Sequence, residues 1–147
     1  MLDLKAQHEP LNEEIRTAVR DILDSSRFIL GPNVSSFEQE VAAYHNVTGA
    51  VGLGSGTDAL YLSLRALDIK EGDEVITTPF TFIASVNSIL FTGATPVFVD
   101  VDPETFNIDP ALVEQAITPR TKAILPVHLY GYVCDMDALQ ASADKHG

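Results

Sequence analysis

Apolar residues Leu11, Ile15, Val19, Ile22 and Leu23 recur at helical spacing and give way to polar Asp24-Ser25-Ser26, which predicts an amphipathic helix near the start of the chain. Gly31-Pro32 then breaks the chain. Ser35-Ser36-Phe37-Glu38 follows with the S-x-x-E spacing of a capping box, so a second helix is expected from there, with Phe37, Val41 and Tyr44 on its buried face. From Ala50 the rhythm changes to short apolar runs, each followed by a polar or Gly-containing turn and a helical period. The predicted strands are Ala50 to Leu53, Glu74 to Thr78, Pro96 to Val101 and Lys122 to Val127, rich in Val and Ile as strands buried on both faces are. Between them lie predicted helices from Thr57 to Leu67, with Leu60, Leu64 and Leu67 in phase, from Phe82 to Phe91 and from Pro110 to Ile117. The third has Asp109 as cap and Pro110 at its first position, and a last helix follows Asp135.

Strand and helix in alternation predict an α/β domain with a largely parallel sheet, whose ligands bind beyond the carboxyl ends of the strands. Functional residues are therefore sought in the turns after strands. The chain shows no internal repeat or linker, and one domain is the simplest expectation.

Composition narrows the function classes. The formal charge of -12, with no Lys/Arg cluster, argues against a nucleic-acid partner. The single Cys134 excludes an internal disulfide, and His8, His45, His128 and His146 are too dispersed for a metal site. No run reaches the ~18 apolar residues that span a bilayer, so a cytoplasmic location without membrane contact is expected.

Two turns carry candidate chemistry. Gly54-Ser55-Gly56-Thr57 leaves the first predicted strand and enters a helix, where free amides and the helix dipole favour a phosphate and glycine lets the backbone approach it. Neither a Walker loop nor a dinucleotide fingerprint fits: Gly56 is followed directly by Thr57, and Thr77-Thr78 stand where a ribose-binding acid would be. A plain tight turn fits the same residues equally well. After the second strand, Thr78-Pro79-Phe80-Thr81-Phe82 places two aromatics where one could lie on a planar ligand, although composition alone favours ordinary core positions for both.

The stretches Gly31-Pro32 with Phe37-Glu38, Ser55-Gly56-Thr57-Asp58-Ala59-Leu60, Gly72-Asp73-Glu74-Val75-Ile76, Pro79-Phe80-Thr81-Phe82, Gly93 to Asp100, Asn107-Ile108-Asp109 and Pro126 to Gly131 with Asp135-Met136 resemble the DegT/DnrJ/EryC1/StrS sugar aminotransferase family, of pyridoxal-phosphate (PLP) fold type I. The opening thirty residues also resemble that family's usual start. The resemblance implies a three-layer α/β large domain, a mostly parallel sheet flanked by helices. Residues 1–147 would be its N-terminal portion, with 1–30 a helical segment, 31–147 alternating strand and helix, and the C-terminal remainder and small domain missing. It implies that Gly56 and Thr57 bind the cofactor phosphate, with Ser55 in a secondary role, and that Phe82, in preference to Phe80, stacks on the pyridine ring. Asp58 reads as a first-turn helix acid. His128 and Tyr130 either border the site or serve structure.

The implied activity is amino transfer, in two half reactions, from a donor such as glutamate to a keto sugar linked to a nucleotide, by a homodimer. Arg27 to Gly31 is a candidate border of the sugar pocket. The aspartate facing the ring nitrogen and the Schiff-base lysine would come from later segments, since none of Lys5, Lys70, Lys122 and Lys145 stands at the family's lysine position. No catalytic residue is therefore expected in this chain, which would be inactive alone and would expose a sheet edge. A sugar dehydratase of the same family, with histidine in place of that lysine, and a noncatalytic fragment are the alternatives.

Overall fold

The computed structural model describes residues 3–147. The chain divides into two compact units, one running to Gly52 and the other from Leu53 to Gly147.

The first unit is helical. Asp3 caps α1 (Leu4–His8) through a hydrogen bond from the Ala6 amide, a single 3-10 turn spans Glu9–Leu11, and α2 (Asn12–Ser25) follows. The predicted amphipathic helix forms, but Leu11, Ile15, Val19 and Leu23 remain exposed. Helix α3 (Pro32–Tyr44) begins three residues before the expected capping box. Gly31 is its N-cap and Pro32 its first residue, where a missing N–H costs no helical hydrogen bond. A Cβ on Gly31 would lie 2.9 Å from the Arg27 carbonyl oxygen, so only glycine fits the turn as built. Freed from a capping role, Glu38 accepts the Gly52 amide at 2.7 Å. Phe37 and Tyr44 are exposed; the half-buried face is Val34, Glu38, Val41 and Ala42.

The second unit holds α4 (Gly56–Ala66), β1 (Glu74–Thr77), α5 (Ala84–Phe91), β2 (Thr95–Phe98), α6 (Pro110–Ala116), β3 (Thr121–Leu125) and α7 (Met136–His146). The three strands are parallel in the order β2-β1-β3, with Val75 beside Pro96 and Ala123, and Ile76 beside Val97 and Ile124. Pro96 is tolerated because β2 is at the edge of this sheet: the Thr95 and Val99 amides donate to the Asp73 and Thr77 carbonyls, and the intervening proline nitrogen faces away.

The pleat of β1 sorts the core. Val75 packs with Leu64, Ile69, Ile89 and Ala94 on the α4/α5 face, while Ile76 packs with Val99, Ile108, Val113, Cys134 and Leu139 on the α6/α7 face. The result is the expected three-layer α/β arrangement, a parallel sheet with helices on both sides. Burial on both faces holds only for β1, since β2 and β3 flank it and stay partly exposed. Leu67, expected in the α4 stripe, is exposed past the helix end, and Ile69 takes the buried place. The predicted strand from Ala50 to Leu53 does not form: it has no ladder partner among the described residues, and an extended segment becomes a strand only by pairing. Gly93, at the turn from α5 into β2, has φ +87, and a Cβ there would meet the Glu71 amide nitrogen at 3.3 Å. Asp109 caps α6 as predicted, accepting the Ala111 amide at 2.8 Å, and Asp135, after which a last helix was expected, caps α7 by accepting the Ala138 amide at 3.0 Å.

Candidate active site

Three segments of the second unit present unengaged groups: the N-terminus of α4 and the turns that follow β1 and β3. At α4, Ser55 is the N-cap. Its Oγ accepts the Asp58 amide at 3.1 Å and donates to the Asp58 carboxylate at 2.9 Å, so the hydroxyl proton is committed within the helix. Asp58 is thereby the first-turn acid expected. The first intrahelical bond runs from the Ala59 amide to the Ser55 carbonyl, which leaves the amides of Gly56 and Thr57 and the Thr57 hydroxyl without a hydrogen-bond partner among the described residues. A Cβ added to Gly56 meets nothing within 4 Å. Two free amides thus face open space at the positive end of an 11-residue helix, an arrangement that fits a phosphate.

The turn after β1 is shaped by threonines. Buried Thr77 donates its hydroxyl to the Leu125 carbonyl at 2.9 Å, locking the carboxyl end of β1 to β3, and Thr78 Oγ1 accepts the Phe80 amide at 3.1 Å. Pro79 to Phe82 then leave the sheet. Neither aromatic is a core residue: Phe80 is 48% exposed and Phe82 76% exposed. Phe80 has a ring partner in Phe106, with centroids 6.1 Å apart, whereas no aromatic pair includes Phe82 among the described residues. Of the two, Phe82 is the ring free to stack on something else.

After β3, the chain passes Pro126 to His128 into a 3-10 turn, Leu129–Gly131. His128 Nδ1 accepts the Cys134 amide at 3.1 Å, a bond within its own loop that places the proton of the neutral ring on Nε2. Cys134 is buried, which raises its thiol pKa, and its Sγ contacts the Val127 carbonyl at 3.2 Å. These are structural links. Asn107, 3% exposed, fastens this loop from the β2–α6 connection: its Nδ2 donates to the Tyr132 carbonyl at 2.9 Å and its Oδ1 accepts the Leu129 amide at 3.1 Å. Sequence reasoning gave Asn107 no role. It stood only within the stretch Asn107-Ile108-Asp109 that carries the family resemblance, and its partners lie 22 and 25 residues away.

The lysines lie elsewhere. Lys70 precedes β1 and pairs with Asp68, Lys122 is the second residue of β3, and Lys145 lies in the last turn of α7 in contact with Glu114 of α6. None of these three occupies a turn at the carboxyl ends of the strands. No described helix is long and apolar enough to cross a membrane.

Comparison with known proteins agrees with the fold. A relative from Geobacillus stearothermophilus described as a pleiotropic regulatory protein is 53% identical over the whole chain. A UDP-N-acetyl-3-dehydro-alpha-D-glucosamine 3-aminotransferase from Acidithiobacillus ferrooxidans is 54% identical, also over the whole chain. The crystal structure of DesV from Streptomyces venezuelae superposes with a TM-score of 0.95 at 54% identity, covering 99% of this chain and 39% of DesV. The chain spans 40% of the length of each of the first two relatives. Aminotransferases of this kind depend on PLP, and solved relatives include PLP- and pyridoxamine-phosphate-bound forms. The DegT/DnrJ/EryC1/StrS aminotransferase pattern matches residues 9–147, and the chain belongs to that family.

Proposed function

We propose that the protein is a PLP-dependent aminotransferase that moves an amino group from an amino-acid donor such as glutamate to the keto group of a nucleotide-linked sugar. In this reading it acts as a homodimer in the cytoplasm. The observation that carries the reading is the pair of unpartnered amides at Gly56 and Thr57 facing open space at the α4 N-terminus. The names of its relatives support the substrate class, since the Acidithiobacillus protein aminates a UDP-linked sugar.

Gly56 and Thr57 hold the cofactor phosphate through backbone N–H groups and the Thr57 hydroxyl, and Phe82 supports the pyridine ring. Ser55 serves indirectly, by fixing the first turn of the helix whose amides do the binding. When bound, PLP supplies the carbonyl that accepts the amino group and a ring that withdraws electrons from the substrate carbon. The amine that anchors the cofactor and moves the substrate proton is not among Lys5, Lys70, Lys122 and Lys145, so residues 1–147 alone are inactive. Titration of the full-length protein with PLP will give an absorbance band that glutamate bleaches, while residues 1–147 will give no band that borohydride fixes onto a lysine. Labelling of any of those four lysines overturns the division of labour, and absence of a band in the full-length protein overturns the function.

A further inference from the structure

The position of Tyr130 combines strain with exposure. Its backbone lies in the left-handed region at φ 52, where any residue with a side chain is disfavoured, yet the side chain is 93% exposed and contributes no core packing in return. Glycine would take this conformation without strain. The loop nonetheless leaves little choice of backbone. Asn107 grips both sides of Tyr130 through the Leu129 amide and the Tyr132 carbonyl, the Gly131 amide donates to the His128 carbonyl at 3.0 Å, and the Tyr132 amide donates to the Leu129 carbonyl at 2.9 Å. Phe106 shares the left-handed conformation, at φ 60, but its ring packs on Phe80. What a tyrosine at 130 adds is a phenol held in solvent at the carboxyl end of β3, the strand hydrogen-bonded to β1, whose own exit carries Phe82.

We infer that Tyr130 contacts the sugar of the acceptor substrate and that Asn107 is the positioning residue that presents it. This rests on the aminotransferase reading above. With Phe82 assigned to the cofactor ring, Tyr130, 93% exposed against 62% for Tyr132 in the same loop and 48% for Phe80, is the most exposed aromatic remaining at these two strand exits and the one assigned to the substrate. A phenol suits a hexose: its face packs against apolar C–H groups, and its hydroxyl donates to or accepts from a sugar hydroxyl.

The test uses full-length, PLP-loaded protein and two probes, UDP-N-acetylglucosamine and dTDP-glucose, with affinity read by calorimetry. Tyr130→Gly will weaken whichever probe binds at least tenfold, while the melting temperature stays level or rises and the PLP absorbance spectrum is unchanged. Asn107→Ala will weaken probe binding too, at a lower melting temperature. The decisive measurement is the double variant: Asn107→Ala added to Tyr130→Gly will cost no further probe affinity, because Asn107 acts on the probe only through Tyr130. Additive losses would assign Asn107 a general structural role and overturn its positioning role. Undiminished binding by Tyr130→Gly overturns the contact itself while leaving the aminotransferase reading intact. Failure of the unaltered, PLP-loaded protein to bind either probe overturns the sugar assignment and this inference together.

Discussion

The two ends of β1 are built for opposite purposes. At the amino end everything is closed. The Glu74 carboxylate, nearly buried, accepts the Thr118 hydroxyl at 2.6 Å and the Arg120 Nε at 2.9 Å, and the Glu74 amide donates to the Arg120 carbonyl at 2.8 Å. Thr118 and Arg120 hold that carboxyl below its usual pKa range. At the carboxyl end, three residues later, the chain passes Thr78 into a turn where Phe82 stands in solvent. The polar groups at the amino end are engaged with one another, whereas the exit from the carboxyl end leaves an aromatic ring exposed. Open groups matter only against a closed background.

The contrast can be tested by substitutions that should act on one end and not the other. The largest effect is expected from Gly56→Ala in the full-length protein. A methyl there meets no protein atom, and alanine is the better helix former, so the melting temperature will hold or rise. The methyl enters the space assigned to phosphate, and PLP affinity measured by absorbance titration will fall by about tenfold or more, roughly 1.4 kcal/mol or above. Unchanged affinity would remove the phosphate from this helix.

Phe82→Ala comes next. Stacking contributes about 0.5 to 1.5 kcal/mol beyond burial, so PLP affinity will drop by roughly two- to twelvefold without loss of thermal stability. Phe80→Ala is the paired control, expected to lower stability slightly through the lost Phe106 contact and to leave affinity alone. A reversal between the two would exchange their assignments.

The smallest effect belongs to the closed end. Because the folded-state pKa of Glu74 is lowered, its contribution to stability is present above the ordinary value near 4.5 and is lost as pH falls through the lower folded value. Glu74→Gln will therefore be less stable than the parent at pH 7, with the gap in urea denaturation closing as the solution is acidified below that value. Its PLP spectrum will match the parent's, which a ligand-binding role at this end would not allow.

The sequence made the alternation of elements legible because strand and helix periods differ and because Asp109 with Pro110 announces a helix start in local chemistry, while the capping roles of Ser55 and Asp135 came from the structure. It misled at Ser35 to Glu38. The capping-box spacing was real, but Pro32 starts α3 earlier, and Glu38 was free to bond a residue 14 positions away. Local patterns also could not say what covers a face, so Phe37, Tyr44 and Leu67 were assigned to surfaces that stay exposed. The turn before α4 was readable as a candidate anion site because its chemistry is carried by consecutive residues. The Asn107 clamp was not, because its meaning depends on a loop more than twenty residues further on.

The free amides of α4 have one more consequence, in selectivity. A cradle of peptide N–H groups has no side chain to titrate, so its own affinity for an anion is flat with pH while the protein is folded, and the bound phosphate's second ionisation, near pH 6, sets any slope. Peptide N–H groups also attract oxyanions by charge and shape alone. Inorganic phosphate or sulfate in a buffer will therefore occupy the same place and compete with the cofactor, and a protein prepared in such a buffer will take up PLP more weakly for a reason unrelated to its fold.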